Sequence, residues 1–340
     1  MHNLQIFSIR YGKGMNWAFL CAFTLTAAAL SLWFGSVKLH PSQVFDALLG
    51  KDSASAAARI VLYSRLPRTC ASLLAGCALA VSGALIQTVL ENPLASPNVI
   101  GVNSGAGFAV ALICAIAPTA QPFASVAAFG GALAGIFLVA GLARRTGASR
   151  MTVVLAGIAI SSLFSAGIDT VVTLAPEALN GVSDFRIGGF TGVTMSQLAP
   201  AALLIFPGLV LAFSLSGQTD ILRLGSDTAK SLGLSVTVLR FILLALSAAL
   251  AGAAVSFCGL IGFVGLIVPH AMRRLFGEDS LPLLLSSALG GALFVTLCDL
   301  LARVLFAPFE LPVGIVLAFA GAPFFLWLLF RQRGGRTWSD

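Results

Sequence analysis

Apolar segments long enough to cross a lipid bilayer recur along the whole length of this chain, and no other feature constrains its fold as strongly. A helix rises about 1.5 Å per residue, so roughly 20 residues span a hydrocarbon core about 30 Å thick. Only 10% of the 340 residues are charged, whereas a soluble domain carries about 25%. The sequence therefore predicts an all-α, polytopic transmembrane helical bundle and excludes a soluble domain with a single anchor.

The distribution of lysine and arginine predicts which ends of the spans face the cytoplasm. Most short segments assigned to the inside are basic, as the positive-inside rule requires, so we expect both termini to be cytoplasmic. Residues 1–340 are expected to form one transmembrane domain, with an outer loop at Pro176–Ser196 and an inner loop at residues 216–240. The pattern predicts about ten spans: Trp17–Trp33, Cys70–Leu90, Gly105–Ala117, Phe123–Leu142, Met151–Leu174, Leu198–Leu215, Leu239–Cys258, Gly262–Pro269, Leu281–Leu305 and Pro312–Phe330.

The stretch from Arg65 to Gly107 has a basic start, a span rich in small residues and an irregular inner end. The positions of Gly76, Ala80 and Gly83 predict a face at which the backbone of another helix comes close. A span that served only as an anchor would more simply be built of leucine and isoleucine. This second span is therefore expected to pack closely against another helix.

The residue types that carry catalysis or bind metals are sparse in this sequence. Its six cysteines lie in or beside apolar runs without metal-ligand spacing, which is typical of small buried residues and not of a disulfide framework. Three widely separated histidines do not make a metal site, and the phosphate-binding pattern GxxxxGK[ST] is absent. The chain is therefore predicted to bind no cofactor and no metal. The sequence also lacks the paired nucleophile and base that an intramembrane enzyme would need.

Several segments resemble the permease subunits of ATP-binding-cassette (ABC) importers for iron-siderophores, haem and vitamin B12, the FecCD-type family. They follow one another in the order found in that family and cover nearly the whole chain. The segments are RLPRTCASLLAGCALAVSGALIQTVLENPLASPNVIGVNSGAG from Arg65, GSDTAKSLGLSVTVLR from Gly225, GLIGFVGLIVPHAMRRLFGED from Gly259, DLLAR from Asp299 and ELPVGIVLAFAGAPFFLWLL from Glu310.

This resemblance implies a subunit of the bacterial cytoplasmic (inner) membrane that is surrounded by lipid and pairs with a second permease subunit. It also implies two cytoplasmic ATPase subunits that use ATP and magnesium, and one extracytoplasmic substrate-binding protein. Nucleic acid is not an expected partner. The cargo expected first is an iron(III)-siderophore complex, with haem or vitamin B12 as the alternatives.

Three arginines are candidates for docking the binding protein. Arg65 and Arg68 lie one helical turn apart at an outer helix start, and Arg303 lies at the outer end of its span. Arginine pairs bidentately with carboxylates, and the resemblance implies carboxylates on the docked partner. Contact with lipid headgroups is the simpler alternative. Asp299, four residues before Arg303, is expected to orient it by an i,i+4 pair.

The inner loop at residues 216–240 resembles the cytoplasmic coupling segment of the family. It is predicted to contain one or two short helices, at Asp220–Leu224 and at Ser226–Leu232, with Gly233 as a stop. The resemblance implies that this segment fills a cleft on the ATPase. The residues assigned to that contact are Ala229, Leu232, Gly233 and Leu234.

Four polar residues are candidates for the pathway or its gate. Asn92, Asn98 and Asn103 lie in segments broken by glycine and proline, where irregular backbone is tolerated at membrane depth only if it is buried or lines a cavity. They are equally compatible with helix caps. Asp169 lies toward the outer part of the fifth span, where it either lines the pathway or reaches the interface.

A secondary transporter coupled to protons or ions is the competing hypothesis from another class. Such a protein needs ionisable groups within its spans to carry the coupling ion. Asp169 and Asp299 are the only support for it in the sequence, and Asp299 is already expected to pair with Arg303.

Overall fold

A computed structural model describes residues 2–51, 55–97, 101–117, 123–145 and 150–333, and these residues form α-helices and connecting turns without any strand. The predicted all-α class is thereby confirmed. The helices are α1 (His2–Trp33), α2 (Pro41–Leu48), α3 (Ala56–Ile60), α4 (Leu66–Val89), α5 (Val102–Ile116), α6 (Ala124–Arg145), α7 (Arg150–Leu174), α8 (Leu179–Ile187), α9 (Met195–Ser214), α10 (Ser216–Arg223), α11 (Ser226–Ser231), α12 (Val236–Cys258), α13 (Val264–Phe276), α14 (Ser280–Val304) and α15 (Val313–Arg333).

Within the part of the chain that the structure describes, seven helical segments are long and apolar enough to cross a membrane, judged by length and composition. One of them is continuous from Ala56 to Val89, because a π-helical turn at Val61–Arg65 joins α3 to α4. Two shorter apolar helices, α5 and α15, lie at predicted spans. The chain is thus a multi-pass membrane protein. The number of spans and the side on which the termini lie remain predictions.

Helix α4 lies at the centre of the bundle, and its small residues allow neighbouring helices to approach closely. A Cβ atom added to Gly76 would lie 2.2 Å from the carbonyl oxygen of Gly291 in α14, and one added to Gly83 would lie 2.0 Å from that of Gly265 in α13. A Cβ atom on Gly291 would in turn lie 2.6 Å from the Cβ of Ala80. The face predicted from Gly76, Ala80 and Gly83 is confirmed.

Buried hydroxyl groups hold α4 to its neighbours between these glycine contacts. Ser82 donates to the backbone carbonyl of Ser247 in α12 at 2.7 Å, and Ser247 donates to the carbonyl of Ser82 at 2.9 Å. The hydroxyls of Ser72 and Thr296 lie 2.9 Å apart. Such bonds satisfy polar groups inside the bundle and add specificity to contacts that apolar packing alone leaves free to slide.

The segment predicted as an outer loop at Pro176–Ser196 contains a short helix that the sequence pattern did not predict. A 3₁₀ turn at Pro176–Ala178 leads into α8, which ends at Gly188 in a conformation with φ of 72°. Beyond this end, Gly189 donates to the carbonyl of Cys258 at 2.8 Å. The helix has only nine residues, so its stability comes from contacts with other helices that a local sequence pattern does not reveal.

The eighth predicted span, Gly262–Pro269, also differs from the structure, because α13 continues through Pro269 to Phe276. Proline lacks the N–H that would bond the carbonyl four residues earlier, which belongs to Gly265. The side-chain amide of Gln87 in α4 donates to that carbonyl instead, at 3.0 Å. The Gln87 side-chain oxygen accepts a bond from Arg273 at 2.6 Å. A contact between helices therefore compensates for the proline.

Candidate functional site

A buried ion cluster joins α4 to α14 at the end of the bundle that the charge distribution places outside. The Nε atom of Arg68 donates to both carboxylate oxygens of Asp299, at 3.0 and 3.2 Å. The Nε atom of Arg303 lies 3.1 Å from the same carboxylate, so the predicted i,i+4 pair is present. Asp299 is fully buried, and the side chains of Arg68 and Arg303 are 6% and 2% exposed. One carboxylate therefore stabilises two arginines.

Glu310 completes this outer cluster from the segment between α14 and α15. One of its oxygens accepts from Nη1 of Arg68 at 2.5 Å, and the other accepts from the hydroxyl of Ser36 at 2.6 Å. Partial burial opposes ionisation of Glu310, but the bonds from Ser36 and Arg68 outweigh it and hold the pKa of this carboxyl below its ordinary value. The carboxylate thus ties the end of α1 to α4.

The side chain of Arg65 is directed toward the end of α1. It donates to the backbone carbonyls of Leu32, Trp33 and Val37 at 3.0, 2.6 and 2.5 Å. These carbonyls lie at or beyond the last turn of the helix, where no intrahelical donor remains. Arg65 therefore caps α1 and fixes the path of the chain that leaves it.

The structure brings together the three arginines predicted to dock a binding protein, but it buries all of them. Arg65, Arg68 and Arg303 are 3%, 5% and 2% exposed, and each donates to groups of its own chain. Direct docking through these side chains stays a prediction. Glu310 had no predicted role, although it lies two residues before a span that begins with proline and valine.

At the opposite end of α4, Arg240 links three elements. Its Nη2 atom donates to Glu91, directly after α4, at 3.2 Å and to the hydroxyl of Ser226 in α11 at 2.8 Å. Arg240 itself lies near the start of α12. This inner cluster connects the first residue of α11 to the central helix of the bundle.

A second set of contacts connects α10 to the start of α14. The carboxylate of Asp220 accepts the backbone N–H of Ser280 at 2.9 Å, which satisfies a donor at the first turn of α14. Arg223 lies 2.7 Å from the carboxylate of Glu278 and also donates to its backbone carbonyl. These contacts tie α10 to the start of α14.

The four predicted coupling residues lie together at the end of α11. Gly233 has φ of 81°, and Leu234 donates to the carbonyl of Ala229 at 3.0 Å while Gly233 donates to Lys230 at 2.9 Å. These two bonds form a Schellman motif, so Gly233 ends the helix as predicted. Ala229 is buried, whereas Leu232 is 61% exposed and available to a partner. The coupling role itself remains a prediction.

The predicted pathway residues are dispersed. Asn92 accepts the N–H of Leu94 at 2.9 Å and caps the turn after α4; Asn103 lies in the first turn of α5. Asn98 lies outside the described residues. Asp169 is exposed on α7, as are Ser162, Ser165 and Thr173 on the same face.

These features define a class of protein: a polytopic helical membrane protein with one polar cluster at each end of a central helix. Within this class, the chain belongs to the FecCD transport family, whose family model matches residues 23–331. The resemblance to permease subunits of ABC importers is confirmed. The chain is a transport subunit and not an enzyme.

Named relatives cover most of the chain. It is 38% identical over 299 residues to the hemin transport system permease protein HmuU of Yersinia pestis, covering 86% of this chain and 90% of that protein. It is 36% identical over 319 residues to the iron(3+)-hydroxamate import system permease protein FhuB of Bacillus subtilis, covering 93% of this chain and 83% of that protein. A solved structure described as an inward-facing conformation of a putative metal-chelate type ABC transporter is similar with a TM-score of 0.80 and 28% identity, covering 94% of this chain and 99% of that one.

Proposed function

We propose that this chain forms the transmembrane pathway of an ABC importer for an iron(III)-siderophore complex in the bacterial inner membrane. The observation that supports this most strongly is the match of residues 23–331 to a transport family whose named relatives include an iron(3+)-hydroxamate permease. In the proposed assembly, a second permease subunit completes the pathway. Two ATPase subunits bind at the cytoplasmic side, and a substrate-binding protein delivers the cargo from outside.

The contacts at the inner end support a mechanical role for α10 and α11. Helix α11 is bonded to Arg240, which pairs with Glu91 at the end of α4, and α10 is bonded to the start of α14. Helices α4 and α14 are in turn packed backbone to backbone at Gly76. We propose that a push by the ATPase on the exposed Leu232 side of α11 moves α4 and α14 as rigid bodies.

We propose that docking of the binding protein uses an outer positive surface, defined by Lys38, Lys51 and Arg59, together with the buried arginines beneath it. All three side chains are exposed, and they lie on a segment that violates the positive-inside rule. Arg65, Arg68 and Arg303 would then hold the backbone that presents this surface. Steering by such charges raises the association rate and weakens in salt.

A charge reversal on the exposed surface tests docking while it leaves the buried arginines, which support the backbone, in place. The Arg59→Glu variant should fold normally and bind the binding protein more weakly, with a smaller dependence on salt, in a surface-binding assay with the reconstituted complex. The exposed Lys230→Glu variant on α11, at the opposite end, is the matched control and should bind as the wild type does. Unchanged affinity and salt dependence in Arg59→Glu would show that the outer positive surface does not dock the binding protein.

Haem is the second candidate cargo, because the chain is 38% identical to a hemin permease across 86% of its length. The decisive experiment is ATPase activity and uptake by the complete complex in proteoliposomes, with iron(III)-siderophores, haem and cobalamin supplied on the binding protein. The proposal predicts that iron(III)-siderophores stimulate hydrolysis and accumulate. If haem alone stimulated hydrolysis and was taken up, the cargo would be haem and not an iron(III)-siderophore. Uptake without ATP would exclude an ABC importer.

A further inference from the structure

Helix α7 carries an exposed face whose character changes along its length. Near the start of the helix the face is apolar, with Met151, Leu155 and Ile158 at 67%, 59% and 53% exposure. Toward the end it becomes polar, with Ser162, Ser165, Asp169 and Thr173 exposed beside Ala166. Their spacing of three or four residues places these side chains on one side of the helix. We call these four residues the polar half of the α7 face.

Lipid is a poor environment for this polar half. None of the ion pairs among the described residues includes Asp169, and ionisable residues within spans almost always face the bundle interior or a water-filled cavity. The exposed face of α9 provides a contrast, because it is apolar in the middle of the helix, with Leu203, Phe206 and Val210 at 75%, 58% and 67% exposure, and its exposed hydroxyls, Ser196 and Ser214, lie at the helix ends. The two faces therefore belong in different surroundings.

Asp169 also differs from Asp299, the carboxylate of α14. Asp299 is buried between two arginines, whereas Asp169 is exposed and five residues, or about 7.5 Å along the axis, from the end of α7 at Leu174. Ser165 lies one turn deeper on the same side. A cargo that entered from this end would pass the carboxylate of Asp169 before it reached the hydroxyls of Ser165 and Ser162.

We propose that the polar half of the α7 face lines a water-filled vestibule between the two permease subunits, and that Asp169 there favours cargo of zero or positive net charge. This inference rests on the proposed function, because the vestibule requires a second permease subunit opposite α7. A carboxylate near the mouth of a confined pathway repels anionic chelates and attracts cationic ones. Neutral and cationic hydroxamate-type chelates are therefore the preferred class, and anionic chelates are disfavoured.

The charge at Asp169 can be measured without knowing the natural cargo. The thiol of a Ser165→Cys variant is treated with a cationic and with an anionic methanethiosulfonate reagent of similar size, in the complete complex in nanodiscs. Peptide mass spectrometry reads the modification at this position, so the native cysteines stay in place. The same measurement is repeated with Asp169→Asn and with the conservative Asp169→Glu added. Leu203→Cys on α9 is the control for a surface that faces lipid.

We expect both reagents to modify the Ser165→Cys thiol, with the cationic one favoured. Asp169→Asn should lower the ratio of cationic to anionic rates by roughly tenfold or more, as expected for one unit charge about 6 Å away in a solvated site. Asp169→Glu should preserve the ratio, and the Leu203→Cys thiol should react with neither reagent. Because Asp169 is exposed, the asparagine variant is expected to fold.

Two results would overturn this inference. Failure of both reagents at the Ser165→Cys thiol would mean that the face contacts lipid or protein, and a ratio unaffected by Asp169→Asn would mean that the carboxylate does not act on the vestibule. ATP-dependent uptake by the same complex is measured in parallel. Intact uptake with an unchanged ratio contradicts only the role of Asp169, whereas loss of ATP dependence in the wild type contradicts the proposed function.

Discussion

Asp299 accounts for the presence of two buried arginines at the outer end of the bundle. Removal of an arginine from water is costly, and the cost is recovered only when an opposite charge and further hydrogen bonds are well placed. Asp299 supplies the charge to Arg68 and Arg303, while the hydroxyl of Ser31 accepts from Arg303 at 2.6 Å. The cluster therefore depends on one carboxylate.

Replacement of Asp299 by asparagine should be strongly destabilising, because it leaves two buried guanidinium groups without a counter-charge. The expected loss is about 3–5 kcal/mol, measured as a fall in the midpoint of thermal unfolding of the purified protein in detergent. Asp279→Asn, at the exposed opposite end of the same helix, is the matched control and should change the midpoint little. Equal midpoints for the two variants would show that the outer cluster does not stabilise the fold.

Glu310 should make the stability of the protein depend on pH in one direction. Its pKa is below the ordinary value of 4.5 in the folded state, despite burial, because Ser36 and Arg68 bond to the ionised form. Its contribution is therefore fully present above the unfolded pKa and lost as pH falls through the folded pKa. The difference in unfolding midpoint between wild type and Glu310→Gln should be present at neutral pH and vanish below that lowered pKa. The exposed Glu177→Gln is the control, and a difference that grew in acid would contradict this account.

At the residue scale, the sequence predicts contacts that are close along the chain and misses those that are distant. The Asp299–Arg303 pair was predictable because i,i+4 residues share a helix face. The pairing of Arg68 with Asp299, 231 residues away, and with Glu310 depends on which helices become neighbours. The arginines were therefore predicted as a group, but their burial was not.

At the scale of elements, the packing of α4 against α14 depends on the absence of side chains. Gly76 and Gly291 let the two backbones touch, so the contact gains van der Waals energy over a long stretch. The pattern of small residues in α4 predicted this face because it is a local property of the sequence. The identity of the partner helix was not predictable, since most spans in this chain contain glycine or alanine.

Gly76→Ala tests this contact. Alanine is the better helix former by about 1 kcal/mol, yet its Cβ would lie 2.2 Å from the Gly291 carbonyl oxygen, and overpacking costs about 1–3 kcal/mol or more. We expect a lower unfolding midpoint and a lower folded yield by size-exclusion chromatography. Gly130→Ala in α6 has nothing within 4 Å and should be neutral or slightly stabilising. A neutral Gly76→Ala variant would show that the helices do not pack this closely.

Helix α13 tolerates Pro269 because Gln87 of the neighbouring helix α4 bonds to the carbonyl that the proline leaves without a donor. Proline usually ends a helix, so the sequence predicted an end at this position; the side-chain amide that compensates comes from α4. Gln87→Leu should leave the Gly265 carbonyl and Arg273 without this partner and cost about 1–3 kcal/mol, read as a lower unfolding midpoint. Thr88→Val, on the next position of α4, removes only a bond within its own helix and should cost less. A larger loss in Thr88→Val would contradict the proposed compensation.

At the scale of the whole molecule, the end of α11 is where a force from a partner would enter the bundle. Gly233 adopts a φ of 81° with open space around it, so Gly233→Glu both strains the turn and adds a charge beside exposed Leu232. We expect ATP hydrolysis by the reconstituted complex to continue while uptake is lost. Gly192→Glu, which has a similar φ of 74° with nothing within 4 Å and lies outside the inner loop at residues 216–240, is the matched control and should transport. Normal uptake by Gly233→Glu would exclude this coupling role.

The central claim is that this chain is a passive pathway subunit that depends on separate proteins for energy and for delivery of cargo. The most direct test is uptake of an iron(III)-siderophore by proteoliposomes that contain the chain alone, the chain with its ATPase, or the chain with its ATPase and the binding protein. The account predicts accumulation against a gradient only in the third preparation, and only with hydrolysable ATP. Uphill accumulation by vesicles that contain the chain alone would contradict it.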